Sequence, residues 1–289
     1  MARHERRRRL KELRKIIKAI ELRGIGHRPA PVEIAALVAL IDAKLDAAFV
    51  PGRSSKISAT MSGLLDKSIG LAPAYDRIAC KAGCYYCCDI YVSAPAPQIF
   101  AIADHIRRNA KNIDAEAARI DKASEMIQGK TTAERLAEHV LCTFLNDGLC
   151  GIYPVRPPAC RAHSSLSLEA CEAGFRGETE EIPVPDYTNV LRGGYEQALS
   201  AALHHRGLPT FSYEMSHAVL VALRDPDAEE KWFRGEDVFA GVATDEADQP
   251  SNPEMINREI SFWNALCNVA RGEALPPGPL AGMFPAWVA

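Results

Sequence analysis

Four of the chain's nine cysteines fall within nine residues, Cys80-Lys-Ala-Gly-Cys84-Tyr-Tyr-Cys87-Cys88. Four more follow at Cys142, Cys150, Cys160 and Cys171, and Cys267 stands apart. Eight thiols brought together repel one another once ionised and oxidise readily while protonated, so the clustering calls for a bound cation. Four thiolates are the ligand set of a structural zinc ion and equally of a cubane iron–sulfur cluster. The spacing limits how the thiols are shared. On a straight helix the first four would lie on one face, at about 0°, 40°, −20° and 80°, but seven residues of helix rise about 10.5 Å. Two thiolates on one zinc ion lie only about 3.8 Å apart, so Cys80 and Cys87 cannot serve one ion from a straight helix. Either Gly83 marks a loop that wraps the metal, or the strip divides its thiols between sites. Cys87 and Cys88 are adjacent and point apart in regular backbone, which suits two neighbouring centres, or one ligand and one spare thiol. Two sites of four thiolates and one cluster with reserve thiols both satisfy the count. The plainer reading, a cysteine as a small core hydrophobe, suits Cys267 on an amphipathic helix. It does not suit the other eight, whose neighbours are Gly, Asp, Arg and Pro.

The residues between the ligands have roles of their own. A centre of four thiolates with zinc or a 2+ cubane carries a charge of about −2, so Arg156 and Arg161, flanking Cys160, are expected to offset it or to donate hydrogen bonds to sulfur. Tyr153 is expected to do the same through its hydroxyl. Asp147-Gly148 is a turn signal that delivers Cys150, and Pro157 and Pro158 stiffen the loop before Cys160. His163, alone in a polar stretch, is read as a bystander rather than a ligand.

The elements that must position these residues read as helices. Apolar residues at Leu10, Leu13, Ile16, Ile17 and Ile20 recur at helical spacing from about Arg6 to Leu22, with Lys and Arg on the other faces. Residues 1–28 hold eleven Lys/Arg against three Glu, a net of +8 in a chain of net −3, which leaves −11 for the remainder. This basic helix is read first as docking its apolar stripe on its own domain. The other reading is an arm for nucleic acid, an acidic partner or a membrane surface. Further helices are expected over Pro31 to Phe49, Ile57 to Ser68, Pro97 to Asn109 with Ser93 as its cap, Ile113 to Gln128, and from Thr132 toward Cys142. Residues 146–158 should be irregular. Helices follow near Thr188 to His205, Tyr213 to Leu223 and Glu229 to Phe239. Then come an acidic linker through Pro253, a helix from Glu254 to Ala270 and a Pro/Gly-rich tail from Leu275. The expected fold is mainly α, with irregular cysteine-rich loops around a metal centre packed among helices. The expected organisation is an N-terminal helical extension (1–72), a cysteine-cluster domain (73–245) and a C-terminal helix and tail (246–289).

A composition of 47% apolar and 25% charged residues supports a sizeable core, so dense disulfides are not needed for stability. The Arg-rich start has no apolar stretch behind it, and no run approaches the roughly eighteen apolar residues of a membrane span. The expected location is the cytoplasm, where clustered thiols stay reduced and read as metal ligands.

The text Cys80-x3-Cys84-x2-Cys87-Cys88, with Cys142-Thr-Phe-Leu-Asn-Asp-Gly-Leu-Cys150-Gly-Ile-Tyr153-Pro-Val-Arg156-Pro157-Pro-Ala-Cys160-Arg161, resembles the YkgJ-type cysteine-cluster family over roughly residues 75–240. The resemblance implies a zinc- or iron-chelating domain, with Cys171 as the trailing cysteine of the pattern. An iron–sulfur cluster of the 4Fe-4S type is the preferred occupant, and zinc the alternative. Flagellin lysine methylases are similar in cysteine pattern, and that likeness implies methyl transfer to a protein or peptide substrate. No glycine-rich motif for S-adenosylmethionine follows a strand. The Cys80-x3-Cys84-x2-Cys87 spacing also matches radical S-adenosylmethionine enzymes, which need repeated βα units that the pattern after it lacks. The expected function is therefore a metal-binding protein, redox-active or acting on protein side chains. Nucleic-acid binding through the first helix is the remote alternative.

Overall fold

The apolar stripe of the first helix does pack inward. In the computed structural model, which describes residues 2–46, 48–244 and 252–288, α1 (Ala2–Arg23) buries Leu13 and Ile20 and rests Leu10, Ile16 and Ile17 on the core. Arg9 is buried and donates from Nε to the Gly272 carbonyl at 3.0 Å. Arg3, Arg7, Lys11, Arg14 and Lys18 stay exposed. The stripe belongs to the protein's own core, and apart from Arg9 these cations face away from it.

α2 (Pro31–Leu45) opens on proline at the position where the missing N–H costs nothing. It packs against α9 (Thr188–His205) and α12 (Pro253–Ala270), which also pack on each other. α3 (Arg53–Gly70) bridges from α9 to α4 (Ala96–Asn109), and α10 (Met215–Arg224) closes on α4 and on α5 (Ile113–Glu125). The short helices are α6 (Thr132–Ala137), α7 (Pro158–Arg161), α8 (Leu168–Phe175) and α11 (Ala228–Phe233). One apolar cluster runs from Leu13 to Val288. Cys267 lies within it, donating its S–H to the Ala201 carbonyl at 3.3 Å. No described helix is long and apolar enough to cross a membrane.

Four short strands appear that the pattern did not foretell. β1 (Ser93–Pro95) pairs antiparallel with β4 (Ser212–Glu214), and β2 (Leu145–Asn146) pairs antiparallel with β3 (Leu149–Cys150). Ser93 is thus a strand residue opposite Glu214 rather than a helix cap, and Pro95 precedes α4 in its place. Helix α2 stops at Leu45, short of Phe49. Helix α6 stops at Ala137, because His139 takes a left-handed φ of 49° and breaks the run before Cys142. Helix α11 ends at Phe233, where Gly235 turns the chain at φ 90°. Both sheets are antiparallel pairs, so the described residues hold no repeated βα units of the radical-enzyme kind. The acidic stretch through 245–251 lies outside the described residues.

The contact of α9 with α3 is built on a buried phenol. Tyr195 is fully buried, with its hydroxyl 3.0 Å from Ser68 Oγ, and that oxygen accepts from the Ile25 N–H and donates to the Leu64 carbonyl. Burial pushes the phenol up to about 12, against about 10 in an unfolded chain. A raised pKa gives stability that is complete below the unfolded value and is lost as pH rises through the folded one. Tyr195→Phe is expected to lose about 1 kcal/mol at neutral pH. Its melting temperature should then fall less steeply than the wild type's between about pH 10 and 12, as followed by thermal denaturation.

Candidate metal centre

The first cysteine strip is a loop, one of the two arrangements that the helix arithmetic left open. Two successive turns shape it, closed by Cys84 N–H to the Lys81 carbonyl (3.1 Å) and Cys88 N–H to the Tyr85 carbonyl (2.8 Å). Gly83 sits third in the first turn at φ 86°, a conformation that favours glycine. The loop is tied at both ends. Ala79 N–H bonds the Ser165 carbonyl at 2.9 Å, and the Cys88 carbonyl accepts from Cys142 N–H at 2.6 Å. That last bond stitches the two cysteine groups together.

Cys150 arrives on the β2–β3 hairpin, whose two-residue turn is Asp147 (φ 49°) and Gly148 (φ 77°), both left-handed as such a tight turn demands. The hairpin tip lies against the loop, since a Cβ on Gly83 would be 3.9 Å from Leu149 and one on Gly148 3.9 Å from Tyr85. Cys160 arrives on α7, which starts on Pro158 and packs on α3 and α9. Cys171 lies on α8, capped by Ser167. Phe175 of that helix meets Tyr85 and Tyr86 edge-on at 6.0 and 5.8 Å, and Tyr86 donates to Glu172 at 2.9 Å. These contacts hold Cys171 beside the loop.

The result is a cavity of about 300 Å³ walled by Cys80, Cys84, Cys87, Cys88, Cys142, Cys150 and Cys160. Cys171 is not on its wall, although its thiol is near enough to Cys80 and Cys84 to raise both electrostatically. All nine cysteines are free thiols. Among the described residues, no three Cys, His, Asp or Glu side chains are grouped as the ligands of a single ion.

Burial dominates the electrostatics. It lifts the Cys80, Cys84 and Cys150 thiols, and it pushes Cys142 and Cys160 up to about 12. Cys87 is also raised, first by a hydrogen bond with Cys88 and then by burial. Backbone N–H groups work the other way. Ser165 N–H reaches Cys80 Sγ at 3.3 Å. Cys84, Cys142 and Cys150 each take an N–H from the residue two further on, namely Tyr86, Phe144 and Ile152. Such donors favour thiolate over thiol, so the backbone is arranged for anionic sulfur in a place where burial alone forbids it. A cation resolves that conflict.

The residues expected around the ligands all line the cavity, but in different roles. Arg161 forks onto Asp66 of α3 at 3.0 and 2.8 Å and bonds the Pro154 carbonyl at 2.8 Å. Arg156 stacks on the Tyr153 ring, its guanidinium carbon 3.7 Å from the centroid. Both arginines lower the Cys160 thiol, against the larger effect of burial. Tyr153 is half exposed and serves as the platform for Arg156; no hydrogen bond joins its hydroxyl to sulfur. His163 stands exposed on the lining. The sequence reading missed Asp66, whose partner lies 95 residues away, and Ser164. Among the described residues, three buried donors of this wall have no partner: Arg156 Nε, Arg161 Nε and Ser164 Oγ. Free donors beside a thiol-lined cavity fit a sulfur-rich anionic centre.

With this geometry in place, comparison with known proteins adds one result. Residues 79–182 match the CxxCxxCC family, described as "Putative zinc- or iron-chelating domain". The match takes in all eight clustered cysteines. No curated protein and no solved structure matches the chain.

Proposed function

We propose, on the premise that residues 79–182 form a YkgJ-type zinc- or iron-chelating domain, that the eight clustered cysteines bind metal as two neighbouring sets of four. The observation that carries this reading is the single cavity walled by seven of those thiols, drawn from two separate stretches of chain. Cys80, Cys84, Cys87 and Cys171 form the first set, supported by the mutual electrostatic influence of their thiols. Cys142, Cys150 and Cys160 belong to the second set, supported by the effect of Cys160 and Cys150 on Cys142, while the effect of Cys87 and Cys150 on Cys160 supports setting the two groups side by side. Cys88 completes the second set, supported by its backbone bond to Cys142.

A cubane iron–sulfur cluster is the preferred occupant. One zinc ion needs only the space between thiolates about 3.8 Å apart, and a cavity of about 300 Å³ offers more. A redox-active cluster would give the protein an electron-transfer or sensing role. The metal-binding unit extends over residues 73–245 in this proposal, with 1–72 as an N-terminal helical extension and 246–289 as a C-terminal helix and Pro/Gly-rich tail.

Anaerobic purification followed by metal and acid-labile sulfide analysis, with a visible spectrum, tests the assignment. Iron and sulfide with a broad absorption that bleaches on reduction are expected. Zinc without sulfide or colour would remove the redox role and leave a structural one. No metal at all, with Cys84→Ser and Cys160→Ser as stable as the parent, would sink the proposal.

The flanking arginine has a smaller, separable effect. Arg161→Gln is expected to weaken metal retention by roughly 10–100-fold, the usual consequence of losing a group that supports the ligands. Because the Arg161 side chain is itself buried and ties Asp66 to the Pro154 carbonyl, stability should also fall, by about 1–3 kcal/mol. Competition with a chromogenic chelator measures the first effect and denaturant titration the second.

A further inference from the structure

The cations of α1 are not used alike. Arg6 and Arg9 tie the helix to the end of α12, donating from Nε to the Arg271 and Gly272 carbonyls at 3.1 and 3.0 Å. Arg3, Arg7, Lys11, Arg14 and Lys18 are exposed, and none of the five has an ion pair or a side-chain hydrogen bond among the described residues. Exposed arginines elsewhere are matched, Arg176 with Glu178, Arg224 with Asp121 and Arg234 with Glu230. At 3.6 residues per turn the five fall within an arc of about 80° and form a line about 22 Å long.

The line works against the helix that carries it. Like charges three and four residues apart repel one another, and Arg3 in the first turn opposes the helix dipole. Packing does not call for them, since the face that α1 buries is made by Leu13, Ile20 and their apolar neighbours. Carboxylates do little to relieve the repulsion. Glu21 closes the line at its C-terminal end, and Glu5 and Glu12 lie about 100° or more round the helix. Glu12 is in any case held by Lys15 at 2.8 Å. A ligand whose negative charge repeats along a line removes the repulsion throughout.

Shape selects among polyanions. The apolar stripe of α1 is spent on the core, so the helix has no free face to sink into a lipid bilayer. A broad anionic membrane would also meet the rest of the chain, which carries −11 against the +8 of residues 1–28. A narrow duplex meets the helix alone, and DNA offers one charge per about 1.7 Å of its axis, enough to face every cation of the line. The helix holds no aromatic residue and no Ser, Thr, Asn or Gln. Unpaired bases therefore find no stacking platform, and ribose 2′-hydroxyls find no neutral polar partner. We infer that the outer face of α1 binds the phosphate backbone of double-stranded DNA without regard to sequence, through Arg3, Arg7, Lys11, Arg14 and Lys18.

Fluorescence anisotropy of the intact protein, as purified, with labelled DNA duplexes of two unrelated sequences tests the surface. Five phosphate contacts give a slope of log affinity on log salt of about −4.5, so binding should weaken roughly 500-fold between about 50 and 200 mM salt, equally for both sequences. The triple variant Arg7→Gln, Lys11→Gln, Arg14→Gln should bind at least about tenfold more weakly at the lower salt, with its slope eased to about −1.8. Its melting temperature should be no lower than the parent's, because the changes relieve repulsion on an exposed face; a lower one would contradict that repulsion. Arg108→Gln, Arg224→Gln and Arg234→Gln together make the same charge change on α4, α10 and the end of α11, and should leave affinity and slope unchanged. No binding at the lower salt, an equal loss in this control, or preference for one sequence would each overturn the inference. So would tighter binding to single strands, to duplex RNA, to poly-glutamate, or to vesicles of equal parts phosphatidylserine and phosphatidylcholine. Metal content plays no part in these readouts, so failure here leaves the chelating proposal untouched.

Discussion

Cys160→Ser is expected to strip metal from the protein and to cost more of its stability than any conservative change in the core. The thiol sits on a single turn of helix wedged between α3 and α9, where it faces Cys87 and Cys150 and where burial pushes it up to about 12. Without a cation such a group stays protonated. With one it becomes a ligand, and the binding energy becomes folding energy. A complete structural zinc site is worth roughly 10–16 kcal/mol, so losing one of four ligands should remove more than about 3 kcal/mol, because a serine hydroxyl does not ionise in its place. Metal per chain should fall to half or less if the two sets of four load separately. Cys267→Ser is the matched control. Its thiol donates to the Ala201 carbonyl inside the apolar core, away from the other eight cysteines, so metal content should be unchanged. Full metal retention by Cys160→Ser would contradict the assignment. The pH dependence has a definite sign: raised thiol pKa values mean that protons compete strongly for the ligands, so metal retention should fall as pH drops below neutral.

Gly24→Val is expected to cost about 3–5 kcal/mol, the sum of left-handed strain and overpacking. The residue follows α1 at φ 75°, and a Cβ there would sit 2.6 Å from the Leu64 carbonyl oxygen and 2.7 Å from the Ser68 nitrogen. Both are backbone atoms of α3, so relief requires moving the helix rather than turning a side chain. The same helix carries Ser68, which holds Tyr195, and Asp66, which holds Arg161 beside Cys160. Displacement of α3 should therefore also speed metal loss, to be read from chelator-release kinetics alongside denaturant titration. Gly63→Ala, beside Leu64 on α3 but with open space around its Cβ position, should instead stabilise by up to about 1 kcal/mol. Equal stability of Gly24→Val and the parent would refute the packing argument.

Local physics made much of this molecule legible from its residues. The 3.6-residue periodicity of Leu10 to Ile20 gave both the helix and its buried face. The impossibility of holding Cys80 and Cys87 on one ion from a straight helix left either a loop at Gly83 or a division of the thiols between sites, and Gly83 at φ 86° provides the loop. Asp147-Gly148 announced the turn that delivers Cys150, since few other pairs tolerate two successive left-handed residues, although the strand pairing on either side of it was not foretold. Less legible were features set by distant partners. Ser93 looks like a helix cap until Glu214 comes alongside it, and the run after Thr132 looks able to reach Cys142 until His139 turns the chain.

The sequence by itself determined the chemistry, because eight clustered thiols have few uses other than holding a cation and their spacing rules out the simplest sharing of it. Tertiary structure alone decided which of them meet. It brought the second group to the first through the Cys88–Cys142 backbone bond, left Cys171 behind the cavity wall, and drew Asp66 from the N-terminal helices to the arginine beside Cys160. The reason is physical. Ligand type and local turn geometry are encoded within a few residues, whereas convergence depends on how helices with interchangeable apolar faces choose to pack.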